Sequence, residues 1–252
     1  MVVEKLPSAR ALRSDAIDAA TIDMATRKAM YALFERYYMS SSFERFEKDL
    51  AGKDTVFLIH NDQGVLCGFS TLAVSTAQFD GAPIRVAFSG DTVIDPAFWG
   101  SQAFAYRWIR HIGTLASQPP ELPLYWLLTV KGHRTFRYLP AFGLRFVPDW
   151  RTSVASVSAE KLIALRDALA RQKFGSAYAP ETGVVSYAQS QGHLVPELAG
   201  IPPRQLQRPD VRFFLERNPG YAHGDELVCL CELSAANMRP LTRRLFLDGA
   251  KR

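Results

Sequence analysis

A change from helical to strand-like hydrophobic periodicity is the feature that most constrains the fold of this chain. Residues 55–60 and 65–74 are two runs of β-branched and apolar side chains, separated by Asn61-Asp62-Gln63-Gly64. Two such runs joined by a short turn that contains Asn and Gly predict a β-hairpin. A third strand is predicted over residues 84–94, with Gly90 near its middle. A glycine inside a strand often marks a bulge or the close approach of a ligand.

Helical spacing of apolar residues surrounds these strands. It predicts helices over residues 15–38 and 43–50 before the hairpin, and over 97–115 and 132–142 after the third strand. Between the last two helices, residues 124–130 form an almost wholly apolar run, which is typical of a strand buried on both faces. The alternation of helices and strands therefore predicts an α/β fold.

The C-terminal part of the sequence is less regular. Helical spacing returns over residues 159–172, and residues 226–233 have the pattern of a final strand. Residues 174–225 are rich in Gly, Pro, Ser and Gln, and we predict an irregular insertion there, of the kind that often forms a functional loop or lid. We expect a single domain over residues 1–252, in which the final strand completes a core of about residues 11–150.

Composition and charge argue against several classes of protein. Hydrophobic residues make up 48% and charged residues 22% of the chain, which is unlike a disordered, collagenous or coiled-coil protein. The net charge of +5 favours anionic ligands. The basic residues are dispersed rather than gathered on one stripe, so we do not expect nucleic-acid binding.

Targeting signals and metal-binding patterns are not found in the sequence. No run approaches the roughly 18 apolar residues of a membrane-spanning helix, and the first residues lack a charged lead followed by an apolar stretch. We therefore expect a cytoplasmic protein. The three cysteines lack CxxC spacing and the five histidines lack ligand spacing, so we expect neither a disulfide framework nor a metal site.

Two short segments carry a resemblance to a known family. Residues 92–100 have the pattern of a strand end, a proline and a turn before a helix, and residues 138–146 that of a tyrosine-bearing helix ending at a glycine before a strand. With the order of the elements, they resemble the GNAT superfamily of N-acyltransferases over about residues 11–147. The resemblance implies a GNAT-like mixed, mostly antiparallel central sheet flanked by helices. It also implies transfer of an acyl group from a pantetheine thioester, an acyl-CoA or acyl carrier protein, to an amine of a small molecule or peptide.

The resemblance places the cofactor-binding turn at Trp99, Gly100, Ser101 and Gln102. The N-terminus of a helix offers unpaired N–H groups and a positive dipole end, which suit a pyrophosphate. The family pattern is Arg/Gln-x-x-Gly-x-Gly/Ala, whereas this chain has Gln102 and Phe104 where small residues are usual. These bulky residues favour a longer or carrier-borne acyl group over acetyl.

The chemistry of acyl transfer also requires a base, an acid and a donor to the thioester carbonyl. Gly90 lies in the strand where the family opens its sheet and presents a backbone N–H to that carbonyl. Asp91 beside it, or His133 after the buried strand, is the expected base, and the resemblance makes Tyr138 the expected acid toward the leaving thiolate. The alternative hypothesis is a GNAT-shaped protein without catalytic activity, which serves as a binding or interaction module.

Overall fold

The computed structural model of the protein describes residues 12–151 and 157–251. In these ranges the strands are β1 (Arg13–Asp18), β2 (Tyr38–Met39), β3 (Thr55–His60), β4 (Leu66–Phe79), β5 (Ala82–Ile94), β6 (Leu124–Val130), β7 (Phe146–Val147), β8 (Tyr178–Ala179), β9 (Val184–Val185), β10 (His193–Leu194) and β11 (Glu226–Glu232). The α-helices are α1 (Met24–Glu35), α2 (Phe43–Leu50), α3 (Ala103–Ala116), α4 (His133–Phe136), α5 (Tyr138–Phe142), α6 (Val157–Phe174), α7 (Pro196–Ala199), α8 (Pro203–Leu206), α9 (Pro209–Arg217) and α10 (Pro240–Ala250).

The main sheet has the order β1-β3-β4-β5-β6-β11, and the other edge of β11 pairs with β9 and with β7. β8 pairs with β9, and β10 pairs with β2 in a separate two-stranded sheet. Among the described pairs of the main sheet, all are antiparallel except β5 and β6, which run parallel. The mixed, mostly antiparallel sheet implied by the resemblance is therefore confirmed, as is the hairpin of β3 and β4.

Helices cover both faces of the sheet. On one face, Phe104 of α3 contacts Phe57 of β3 edge to face, with ring centroids 5.9 Å apart, and α10 packs beside α3. On the other face, Phe46 of α2 contacts Phe69 of β4, with ring centroids also 5.9 Å apart. The buried Leu165 places α6 on this second face, against β11. Burial of apolar side chains on both faces is the main stabilising contribution to such a three-layer arrangement.

The prediction of a single helix over residues 15–38 is wrong in its first part. Residues 13–18 form β1, which pairs along its whole length with β3, and α1 begins only after the N-cap Asp23. Ala16 packs into the core on the α3 face, whereas Ile17 packs against the cluster under α1 and α2. This alternation is that of a strand, and pairing with β3 outweighs the local helical spacing.

Two helices after the third strand also differ from the prediction. The helix expected from residue 97 begins at Ala103, because Pro96–Phe98 form a separate 3-10 turn. Residues 132–142 form the two short helices α4 and α5 rather than one. Pro140 has no backbone N–H to donate to the preceding turn, which accounts for the interruption.

The composition of residues 174–225 predicts an irregular insertion, but the structure shows short strands and helices there. This segment contains β8, β9, β10 and the short helices α7, α8 and α9. β9 pairs with the start of β11, and β10 pairs with β2. These partners are distant in sequence, so local composition does not reveal them.

Among the described helices, none combines the length and the apolar character needed to cross a membrane.

Candidate active site

The parallel strands β5 and β6 separate beside Gly90. Their pairing ends at Ser89 opposite Leu128, although β5 continues to Ile94 and β6 to Val130. Beyond that point the two strands have free edges facing each other, so backbone polar groups line a gap in the sheet. The expected opening of the sheet at Gly90 is present.

A β-bulge lies at the same place on the other edge of β5. The register between β4 and β5 shifts between Ser70 and Leu72, so that Gly90 and Asp91 together face the single residue Thr71. An extra residue in one strand bends that strand and increases its twist. Of the two features that a glycine inside a strand often marks, a bulge or the close approach of a ligand, the structure shows the bulge, which turns the end of β5 away from β6.

A cavity of about 980 Å³ occupies this opening and extends to both faces of the sheet. We define its α3 chamber by Trp99, Gly100, Ser101, Gln102, Phe104, Arg134, Arg137, Tyr138 and Gln205, and its α2 chamber by Tyr38, Arg45, Lys48, Asp49, Lys53, Phe88, Lys131, Lys173, Phe174 and Glu226. Gly90 and Asp91 line the cavity at the gap between the strands. A concave site of this size that gathers titratable side chains is the usual form of a ligand pocket.

The turn before α3 has the features of an anion-binding site. Gly100 has a φ of +93°, a conformation that favours glycine, and the indole N–H of Trp99 donates to the carbonyl of Ile94 at 2.9 Å. Among the described residues, the backbone N–H groups of Gln102, Phe104 and Ala105 have no hydrogen-bond acceptor. A phosphate group beside these N–H groups would also lie at the positive end of the α3 dipole, which favours an anion there.

Arg134 adds positive charge to this turn. Its guanidinium lies over the Trp99 ring at 4.3 Å from the centroid and donates to the carbonyl of Leu198 at 2.9 Å. Arg137, one turn further, is 3.7 Å from a carboxylate oxygen of Asp210. Guanidinium groups are suited to phosphate because they carry several donors in one plane. The sequence does not single out Arg134, because an isolated arginine after a strand carries no signal of its own.

Asp91 lies between two ion pairs that line the α2 chamber. Lys53 pairs with Asp49 at 2.7 Å, and Lys131 pairs with Glu226 at 3.3 Å. Burial raises the pKa of Asp91 to about 6, with a further contribution from the charge of Asp49. The two lysines act in the opposite direction. The carboxyl group can therefore both release and accept a proton near neutral pH.

Tyr138 is the first residue of α5 and lines the α3 chamber. Its ring contacts Phe104 edge to face, with centroids 6.4 Å apart, and burial raises the pKa of its hydroxyl. The hydroxyl has no hydrogen-bond partner in the described part of the chain. It is thus protonated at neutral pH and available as a donor.

His133 is not brought together with these residues. Its side chain is 1% exposed and does not line the cavity, and burial lowers its pKa. Its Nε2 lies 2.8 Å from Oε1 of Gln205, which does line the cavity. His133 therefore contacts the α3 chamber only through Gln205, a residue that sequence analysis missed because it belongs to the insertion.

Within residues 12–151 and 157–251, there is no group of three or more His, Cys, Asp or Glu side chains that could hold a metal ion. The three cysteines are buried and unpaired.

Comparison with known proteins gives matches to solved structures only. No family model matches the chain. No curated protein matches it. A conserved protein of Enterococcus faecalis V583, described as a probable N-acyltransferase, is 15% identical over 54% of this chain and 33% of its own length, with a TM-score of 0.41. The match therefore spans about a third of that protein.

Two Escherichia coli structures are also similar to this chain. YhbS, a GNAT family N-acetyltransferase in complex with CoA, is 12% identical over 53% of this chain and 71% of its own, with a TM-score of 0.37. ElaA is 13% identical over 58% of this chain and 93% of its own, with a TM-score of 0.36. The structures similar to this chain thus include GNAT N-acetyltransferases.

Proposed function

We propose that the protein is a GNAT-like N-acyltransferase that moves an acyl group from acyl-CoA to a primary amine. The observation that carries this proposal is the gap between β5 and β6 at Gly90, which opens into a cavity beside the unpaired N–H groups of α3. A gap of this kind accepts an extended chain whose amides pair with the free strand edges. Pantetheine is such a chain, and its pyrophosphate end requires an anion site.

The α3 chamber is proposed to hold the donor. The turn over residues 99–102 would receive the pyrophosphate, with Arg134 and Arg137 supplying positive charge. Gln102 and Phe104 line this part of the cavity, and the backbone N–H groups of both have no protein acceptor among the described residues. The thioester would then reach the gap at Gly90, between the two chambers.

The reaction would proceed by direct attack of the amine. Asp91 would accept a proton from the ammonium form of the acceptor, and the free amine would attack the thioester carbonyl carbon. The backbone N–H of Gly90 would donate to the developing oxyanion. As the C–S bond breaks, Tyr138 would donate its proton to the thiolate, which leaves as CoA thiol. The nitrogen of the new amide would lose its remaining extra proton, which restores the Tyr138 hydroxyl. Much of the rate would come from holding both reactants at the gap.

Asp91 rather than His133 is proposed as the base, because only the carboxylate lines the cavity. His133 would act as a positioning residue that fixes the side chain of Gln205. An acyl carrier protein would be tested as donor only after CoA thioesters fail to bind.

Thermal melting with CoA, acetyl-CoA and a long-chain acyl-CoA tests donor binding. A ligand at about 100 times its Kd adds about 2.7 kcal/mol to the free energy of unfolding. For a chain of this size, each kcal/mol raises Tm by about 2–4 °C. We expect a clear shift, and release of CoA thiol when an amine is added. A shift without thiol release from any amine would instead support the non-catalytic binding module. No shift with any of the three would overturn the proposed donor site.

A further inference from the structure

Charges in the α2 chamber are arranged along its depth. The two ion pairs beside Asp91 are each neutral, but Asp91 itself has no cation within ion-pair distance among the described residues. At the mouth, the exposed side chains of Arg45, Lys48 and Lys173 have no carboxylate within that distance in the described part of the chain. The chamber thus has an unpaired negative charge at the gap and unpaired positive charges at its entrance.

Lys173 is held in place by aromatic side chains. Its Nζ lies 4.0 Å from the centre of the Phe88 ring, and Phe88 packs against Phe174 with ring centroids 6.3 Å apart. Phe88 lies on β5 two residues before Gly90, so its ring lies between the gap and the Lys173 ammonium group at the mouth. Partial desolvation and the charge of Lys53 lower the pKa of Lys173, and the charge of Asp49 acts in the opposite direction. A carboxylate placed beside Lys173 would likewise favour its charged form.

We propose that the acceptor is an amino acid with an apolar side chain and a free carboxylate, an inference that rests on the proposed function. Its amine faces Asp91 at the gap, and its carboxylate faces Lys173. Its side chain packs on the ring of Phe174, because the ammonium groups of Lys53 and Lys173 already lie over the ring of Phe88. Such a molecule matches the order of charges from the gap to the mouth, whereas a simple amine leaves the entrance cations without a partner.

Three related acceptors test this inference with acyl-CoA as donor. Phenylalanine, phenylalaninamide and phenethylamine share the ring and the amine, but only phenylalanine carries a carboxylate. We expect kcat/KM for phenylalanine, measured as CoA thiol release, to exceed that for the other two by about 10- to 100-fold. In Lys173→Met, that ratio should fall towards one. Lys161→Met, on the same helix and exposed, is the matched control and should keep the wild-type ratio.

The outcomes separate this inference from the proposed function. Thiol release with phenethylamine as fast as with phenylalanine would overturn the amino-acid inference and leave the acyltransferase in place. An unchanged ratio in Lys173→Met would overturn the proposed contact between the acceptor's carboxylate and Lys173, and would also leave the acyltransferase in place. If no amine releases thiol, and no acyl-CoA raises Tm, the proposed function itself fails and this inference fails with it.

Discussion

The side chain of Lys53 lies directly against Gly90. A β-carbon placed on Gly90 would lie 2.7 Å from Cε and 3.0 Å from Nζ of Lys53, and would also overlap Oγ1 of Thr71. Both neighbours are constrained: the Lys53 side chain is 5% exposed and paired with Asp49, and Thr71 is 2% exposed. Glycine at this position therefore allows the bulge, the ion pair and the gap in the sheet to coexist.

Gly90→Ala is expected to destabilise the protein and to reduce acyl transfer. The added methyl group must displace Lys53 or Thr71, and overpacking of this kind costs roughly 1–3 kcal/mol. Chemical denaturation and thiol release measure the two effects. Gly52→Ala is the matched control, since a β-carbon there would make an ordinary contact of 3.5 Å with the Asp49 carbonyl. Equal stability of the two variants would show that position 90 tolerates a side chain.

The rate of acyl transfer should depend on ionisation of Asp91. Its pKa of about 6 predicts that kcat/KM rises with pH up to that value and then levels off. The charged groups that face Asp91 are Asp49, Lys53, Lys131 and Glu226. In Asp91→Asn, the rate should fall by about 10²- to 10⁴-fold, as expected for loss of a general base. A wild-type kcat/KM that does not rise with pH up to about 6 would contradict the assignment of Asp91 as the base.

The free energy of unfolding should also depend on ionisation of Asp91, but it should fall over the pH range in which the rate rises. Because the pKa of Asp91 is raised above its usual value, its protonated form stabilises the folded state. This contribution is fully present below about pH 4 and is lost as pH rises through about 6. Asp91→Asn should therefore have a higher Tm than the wild type at pH 7.5, and the same Tm near pH 4. Asp62→Asn, in the exposed turn of the hairpin, should show no such difference. A lower Tm for Asp91→Asn at pH 7.5 would be inconsistent with a desolvated carboxylate.

Tyr138→Phe should lower kcat without changing Tm. The hydroxyl makes no hydrogen bond to the described residues, so its removal leaves the ring contact with Phe104 in place. Loss of a general acid reduces the rate by about 10²- to 10⁴-fold for a poor leaving group. The deficit should shrink with thioesters of more acidic thiols, which need less protonation. A deficit independent of the thiol would argue for a purely structural role.

Arg134→Met should raise KM for acyl-CoA with little effect on kcat. Loss of a charged hydrogen-bond donor to phosphate predicts an increase of about 10- to 100-fold. Arg217→Met is the matched control, because Arg217 also stacks on an aromatic ring, that of Phe213 at 5.3 Å. That variant should retain the wild-type KM. An unchanged KM in Arg134→Met would remove the guanidinium from the proposed donor site.

Much of the sheet is predictable from the sequence because its signals are local. The hairpin and the helix over residues 43–50 follow from turn chemistry and from hydrophobic spacing. The bulge at Gly90 follows from a glycine in a strand. β1 is missed, because its only distinguishing property is its pairing with β3.

The site is predictable only in part, for the same reason. Asp91 and the turn before α3 are adjacent in sequence to recognisable patterns. Lys53 and Arg134 have no local pattern and acquire a role only when the chain brings them to the cavity. His133 illustrates the reverse: its position after a buried strand suggests an active group, but its side chain turns towards Gln205 and is buried.

The pairing of β2 with β10 has a consequence for how the site is assembled. Tyr38 pairs with Leu194, so the wall of the α2 chamber joins segments from opposite halves of the chain. Contacts between residues so far apart raise the contact order of the fold, and chain topologies of this kind reach the native state slowly. Strands β1 and β3 to β6 pair with nearer neighbours in the sequence, whereas the acceptor side of the cavity depends on pairing between residues 38 and 194.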